Sequence, residues 1–234
     1  MFNPLKIVSM NVWNAVIPAA AATGLSAWGA FHPKSRLFGP TVSNAGNACA
    51  LTFDDGPNPS TTPRLLSLLE THRVTATFFV LGKYVDENPG LAAEIVSRKH
   101  VIGNHTYGHP NTLFYSRQRI ADELNRCQDA ILKATGLRSI CVRPPFGFRG
   151  PQFYWAAHNA GLSQVVMWSV SARDWTLQPW ERVSRRLQNL RRGDILLCHD
   201  GDHRTSNADR NHTLRALEFW LPRWIDSGLE FTKF

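Results

Sequence analysis

From residue 48 onward, apolar runs of strand type alternate with stretches of helical periodicity. The runs fall at 48–53, 75–81, 101–104, 139–142, 164–169, 194–198 and 229–232. Between them, 61–72, 88–99, 117–135, 152–160, 179–191 and 212–226 read as helices. Local signals agree: Ser116 precedes the third helix, Gly136 follows it, and Pro179 suits the first turn of the fifth. Strands alternating with helices imply parallel pairing with right-handed crossovers. Seven such strands predict an α/β chain folded as a closed or nearly closed barrel.

The pattern breaks before residue 48. Residues 7–31 carry no charge and follow Lys6, a length able to span a bilayer. Asn11, Asn14, Pro18, Gly24 and Gly29 lower its apolarity. Three readings fit: a membrane-associated helix, a cleaved signal peptide, or an apolar extension packed on the domain. Membrane association is the one preferred here. Residues 32–47, rich in Pro, Gly, Ser and Asn, read as a polar linker or surface arm. The expected division is therefore 1–47 as apolar segment plus linker and 48–234 as one catalytic domain.

Composition narrows the class. A 234-residue chain with 43% hydrophobic and 19% charged residues holds a full core and is not disordered. The net charge of +8 favours acidic surroundings such as an envelope polymer or lipid headgroups. The chain carries no nucleic-acid-binding motif, so no nucleic-acid partner is expected. Arg182, Arg185, Arg186, Arg191 and Arg192 read as a solvated helix face. Cys49, Cys127, Cys141 and Cys198 form no CxxC pair, which excludes a zinc knuckle and leaves a disulfide and the compartment open. A cell-envelope or membrane-associated location is expected, with a cytoplasmic one as the alternative, and no oligomeric state is specified.

The chemistry gathers where strands end. The first strand ends in Asp54-Asp55, and the third leads into Asn104-His105-Thr106-Tyr107-Gly108-His109. Arg143-Pro144-Pro145-Phe146-Gly147 follows the fourth, Trp168 to Trp175 follows the fifth, and Leu197-Cys198-His199-Asp200 closes the sixth. In a β/α barrel these carboxyl ends share one face, where active sites are built. Two adjacent acids on a buried strand need a cation, a base, or a shifted pKa. His105 and His109, four apart, point the same way if they lie on a helical turn, and with one acid they can hold zinc with a position open for water. Successive residues at a strand end point in different directions, so the Asp pair can supply both a ligand and a base. Arg143 suits a partner for the base, and Asp174 one for His199. Trp168, Trp220 and Trp224 read as core.

These residues resemble the polysaccharide deacetylases, carbohydrate esterase family four. The resemblance rests on Thr-Phe-Asp-Asp-Gly-Pro at 52–57, His-Thr-Tyr-Gly-His at 105–109, Arg-Pro-Pro-Phe-Gly at 143–147, an Asp-x-x-Asp-Trp-like stretch at 171–175 and Leu-Cys-His at 197–199. It implies a distorted (β/α)7 barrel and metal-dependent removal of acetyl groups from N-acetylglucosamine-type units of a polysaccharide or oligosaccharide, chitin-like or peptidoglycan-like. By resemblance, Asp54 is the general base, Arg143 positions it, and His199 is the acid tuned by Asp174. Asp55, His105 and His109 hold a divalent metal, zinc first and cobalt, nickel or manganese after it. Phe146 contributes its backbone N–H to the oxyanion, while Trp175 and Leu197 shape the pocket for the acetyl methyl. One position departs from the pattern: Ser171 stands where the family's fourth motif begins with aspartate. The alternatives are a related amide hydrolase acting on a lipid-linked amino sugar or small molecule, and a non-catalytic carbohydrate-binding barrel.

Overall fold

The computed structural model describes residues 23–234. Among them, one sheet contains β1 (Cys49–Gly56), β2 (Thr77–Val80), β3 (Val101–Asn104), β4 (Cys141–Val142), β5 (Gln164–Val165), β6 (Val170–Ser171), β7 (Ile195–His199) and β8 (Phe231–Thr232). Its order is β5-β4-β3-β2-β1-β7-β6, with β8 on the start of β1, and all pairs are parallel. The helices are α1 (residues 23–31), α2 (Thr62–Thr71), α3 (Gly82–Glu87), α4 (Pro89–Ser97), α5 (Arg117–Thr135), α6 (Pro151–Asn159), α7 (Trp180–Leu187) and α8 (Asn211–Asp226).

The two edges of the sheet, β5 and β6, are consecutive in sequence. Residues 166–169 therefore carry the chain from one edge to the other and curl the sheet into a distorted (β/α)7 barrel. This is why the single strand predicted at 164–169 divides in two. Val166 N–H still bonds Val142 O at 2.9 Å, but Ser169 N–H already bonds Ile195 O at 3.0 Å. Val42 bridges Val166 in parallel beside this crossing. Residues 41–47, expected within a linker, thus hydrogen-bond into the barrel.

Strand alternation sorts β1 into two faces. Leu51 and Phe53 pack outward with Leu65 and Leu69 of α2. Ala50 points inward and packs with Phe79, Cys141, Val166 and Ile195 into an apolar plug. Farther along the inward row stand Thr52 and then Asp54, so polarity rises toward the carboxyl ends of the strands. The plug fills the interior below the polar groups.

Helix boundaries follow their caps. Ser116 Oγ accepts from Arg119 N–H at 3.3 Å, and Gly136 closes α5 in the left-handed conformation, φ 75°. Pro89 starts α4 afresh after α3, a short helix the periodicity did not indicate. Helix α7 is shorter than expected and leaves Arg191 and Arg192 exposed beyond it. Arg182 and Arg185 also face solvent. Arg186 does not: it donates to Ala172 O at 3.1 Å and Gln178 Oε1 at 2.9 Å, tying α7 to the loop after β6. All four cysteines are buried and free.

The segment ahead of the barrel is held by one buried arginine. Arg149 donates to His32 O at 2.8 Å, Ser35 O at 3.0 Å, Gly147 O at 3.0 Å and Tyr154 Oη at 3.2 Å. Its N–H bonds Ala30 O at 3.2 Å. Truncating it strands several carbonyls, each costing about 1–3 kcal/mol when buried and unpaired. Arg149→Ala is therefore expected to lower unfolding free energy by about 3 kcal/mol and to open a protease site between residues 30 and 40. Wild-type resistance to limited proteolysis there would show that other contacts dock the arm. Among the described residues no helix is long and apolar enough to cross a membrane. Residues 7–22 of the candidate membrane segment lie outside them.

Candidate active site

Asp54 lies on the inward face of β1, directly beside His199 of β7 in register. Strict alternation would turn Asp55 away from it. The β1–β2 register instead slips between Asp54 and Gly56, and Asp55 adopts φ 70°. This irregularity aims both neighbouring carboxylates at one cavity. Thr106, His109, Phe146 and Arg173 also hold positive φ, at 69°, 64°, 57° and 51°. Such conformations are costly for residues with a Cβ and cluster where a site demands them. Packing here is equally exacting: a Cβ on Gly201 would lie 2.0 Å from Asp55 O.

Arg143 is fully buried and every donor group is engaged. Nη1 bonds Asp54 Oδ1 at 2.8 Å and Thr52 Oγ1 at 2.7 Å, Nε bonds Val166 O at 3.1 Å, and Nη2 bonds Met167 O at 3.0 Å. The guanidinium also covers the Phe79 ring at 4.3 Å. Asp54 is thus fixed through one oxygen, while the other faces His105 Nε2 at 3.8 Å.

Asp55 Oδ1 stands 3.6 Å from His105 Nε2 and 3.4 Å from His109 Nε2. The three ligand atoms lie within 4.8 Å of one another, all on buried residues. Asp55 Oδ1 is buried without a hydrogen-bond partner. His105 Nδ1 meets Arg143 O at 2.7 Å. A carbonyl only accepts, so His105 Nδ1 is a donor there, and Nε2 is the ring nitrogen that faces Asp55. Burial, with neighbouring histidines, pushes His109 down to about 3 against the pull of Asp55. Its imidazole is neutral at physiological pH, as ligation requires. Burial works to raise Asp55, yet His203, His109 and His105 hold it well below the usual carboxylate range. An ionised carboxylate with an orphaned buried oxygen, and two imidazoles that turn Nε2 toward it, fit a divalent cation.

Across the cavity, His199 Nδ1 meets Asp174 Oδ1 at 2.8 Å, and His199 N–H bonds Asp174 Oδ2 at 3.0 Å. Thr213 Oγ1 donates to the same Oδ2 at 2.7 Å. Burial opposes protonation of His199, but Asp174, helped by Asp55 and Asp54, pushes it up to about 9. Ser171, the departure from the family motif, accepts from Arg173 N–H at 3.3 Å and so supports the turn that delivers Asp174.

These groups open into a cavity of about 420 Å³, also lined by Phe146, Trp175 and Leu197. Leu197 is buried, Phe146 and Trp175 are half exposed, and Trp175 stands edge-on to His199 at 6.0 Å. The structure therefore brings every sequence-predicted site residue to one place. Trp168 packs partly buried against the apolar plug, as expected, and also lines the cavity from the crossing between β5 and β6, while Trp224 is buried in the core and Trp220 packs partly buried against it. His203 and Arg210 also reach the cavity without having been singled out. The signal for His203 was the polar run Asp200-Gly201-Asp202-His203-Arg204 directly after a strand end, whereas Arg210 lies beyond that run, just before α8.

Comparison with known proteins agrees with this geometry. The family model described as polysaccharide deacetylase matches residues 41–165. A chitooligosaccharide deacetylase of Sinorhizobium fredii is 37% identical over 203 residues, covering 84% of this chain and 91% of that protein. The peptidoglycan-N-acetylglucosamine deacetylase PgdA of Listeria monocytogenes is 38% identical over 170 residues, 72% of this chain but 35% of that longer protein. A solved family 4 carbohydrate esterase from Streptomyces lividans, in complex with acetate, superposes with TM-score 0.70 at 30% identity, over 79% of this chain and 92% of that one. The chain belongs to the polysaccharide deacetylase family.

Proposed function

We propose that this protein hydrolyses the N-acetyl group of N-acetylglucosamine-type units in an oligosaccharide or polysaccharide, releasing acetate and a free amine. The observation that carries this reading is the convergence on one cavity of a buried Asp-His-His cluster, a clamped carboxylate, Asp54, and a carboxylate-backed histidine, His199. Such a pairing supplies a base and an acid on either side of a scissile amide. The names of the rhizobial and listerial relatives support the acetylated-sugar substrate. The net charge of +8 suits an acidic envelope polymer and favours an envelope location.

Asp55, His105 and His109 would hold the divalent ion, zinc first on the N/O donor set. When bound, such an ion supplies Lewis-acid polarisation of the acetamide carbonyl and a lowered pKa for water. Asp54 Oδ2, left free by the Arg143 clamp on Oδ1, accepts the proton of the attacking water. The water oxygen adds to the carbonyl carbon, and the backbone N–H of Phe146, a cavity-lining residue, would stabilise the developing oxyanion. His199 Nε2 then gives its proton to the amide nitrogen, the C–N bond breaks, and the electron pair leaves with the amine. Trp175 and Leu197, which line the cavity, would shape the pocket for the methyl group.

Acetate release from chitooligosaccharides and from peptidoglycan fragments tests the reading. Treatment with a chelator is expected to reduce turnover to background, and added zinc to restore it. A zinc-loaded protein that releases acetate from neither substrate would overturn the deacetylase assignment. Tight sugar binding without turnover would point to a binding barrel, and turnover of lipid-linked sugars alone to the related amide hydrolase.

A further inference from the structure

His203 lies outside the Asp-His-His cluster, in the loop after β7, yet it touches two of its members. Its ring stacks on His109 at 4.2 Å between centroids and 18° between planes. Its Nδ1 faces Asp55 Oδ2 at 3.8 Å. The two Asp55 oxygens are thereby divided: Oδ1 toward His105 and His109, Oδ2 toward His203. Asp202 Oδ1 also lies 3.9 Å from His203 Nδ1, but Asp202 is already paired with Arg204 at 2.7 Å and Arg210 at 3.1 Å. Among the described residues Asp55 pairs with no arginine or lysine, so His203 is the protein donor that faces its Oδ2.

The loop is built to hold this ring still. Lys83 Nζ donates to His203 O at 2.6 Å, and Tyr84 Oη to Asp202 O at 2.9 Å. Arg210 Nε bonds Gly201 O at 2.8 Å. The backbone on both sides of His203 is thus pinned by α3 and by the segment before α8. Phe146 closes the third side, edge-on to the ring at 5.6 Å.

We propose that His203 is a positioning residue that sets the orientation of the metal ligands Asp55 and His109, through its Nδ1–H toward Asp55 Oδ2 and its face against the His109 ring. This rests on the reading of Asp55, His105 and His109 as the metal site. Groups that orient ligands from behind tune affinity without touching the ion, and losing one typically costs about 10–100-fold in metal affinity.

The experiment measures zinc affinity of the metal-stripped full chain by competition with a chromophoric chelator, beside KM and kcat. His203→Ala and His203→Phe are each expected to weaken zinc binding by about 10–100-fold. His203→Asn, which returns an N–H donor near the Nδ1 position, is expected to recover most of it. Thermal unfolding of the metal-free variants checks that the fold is kept. If His203→Ala does not fold, the Asn and Phe variants decide, and equal affinities in those two overturn the proposal. Unchanged zinc affinity with a raised KM would assign His203 to the sugar instead and also overturn it. Asp55→Ala, run alongside, separates the two levels: wild-type zinc affinity in that variant would remove the metal site itself.

Discussion

Asp54→Asn is expected to lower kcat by about 10²–10⁴-fold, the usual worth of a positioned general base. That corresponds to about 3–5 kcal/mol of lost transition-state stabilisation. The substitution is chosen for what it leaves intact. Asn keeps an acceptor for Arg143 Nη1, and Thr52 Oγ1, Val166 O and Met167 O still hold the guanidinium. The ligand trio Asp55, His105 and His109 is untouched. The variant should therefore unfold at a denaturant concentration close to that of the wild type and bind one zinc with similar affinity. Arg143 is a worse probe of the same question. Removing it buries an unpaired carboxylate, which costs about 3–5 kcal/mol and confuses lost chemistry with lost fold. Near-normal turnover by folded, zinc-loaded Asp54→Asn would take the base role away from Asp54.

The second large effect lies on the acid side. Asp174→Asn is expected to reduce kcat/KM by about 10²–10⁴-fold near pH 8 and to move the alkaline limb of the pH profile downward. The sign follows from the two opposing influences on His199. Burial favours the neutral ring, and the Asp174 charge is the main influence that overcomes it, pushing the group up to about 9. Without that charge, burial prevails and the proton is lost earlier. With a divalent ion bound, the shares of Asp54 and Asp55 are offset, so the dependence on Asp174 grows. Stability changes in step. A raised imidazole contributes stability that is complete below its ordinary 6.5 and lost as pH rises through about 9. Asp174, held below its ordinary 3.8, contributes stability present above that value and lost in stronger acid. Wild-type stability should thus fall more steeply between pH 6.5 and 9 than that of Asp174→Asn. A pH profile with the same alkaline limb in both proteins would separate His199 from Asp174.

Much of this was legible because the chemistry sits on regular elements. Asp54, Arg143 and His199 follow strands whose apolar runs are plain in the sequence, and α5 carries both of its caps in its residues. What escaped was set by tertiary closure. The split of the fifth strand depends on both sheet edges being served by one segment, which no local pattern encodes. Trp168 sits at that crossing, so its exposure to the cavity was equally hidden. The different directions expected for Asp54 and Asp55 along a strand proved too simple. Only the register slip and the left-handed turn of Asp55 let both face the same cavity. His203 is placed by a loop whose path depends on Lys83, Tyr84 and Arg210, all distant or unremarkable in sequence.

The left-handed backbone at Asp55, Thr106, His109 and Phe146 has an evolutionary consequence. Each such residue is conformationally less comfortable than glycine would be, by about 1 kcal/mol or more. Selection for stability alone would therefore drive these positions toward glycine, and only the required carboxylate, imidazole and loop geometry resist it. Relatives that have abandoned the reaction should show that drift first at these positions and last in the apolar plug beneath them. At these four positions the backbone thus records a cost kept for chemistry, whereas the same conformation at Arg73 and Lys99, just past α2 and α4, belongs to the fold.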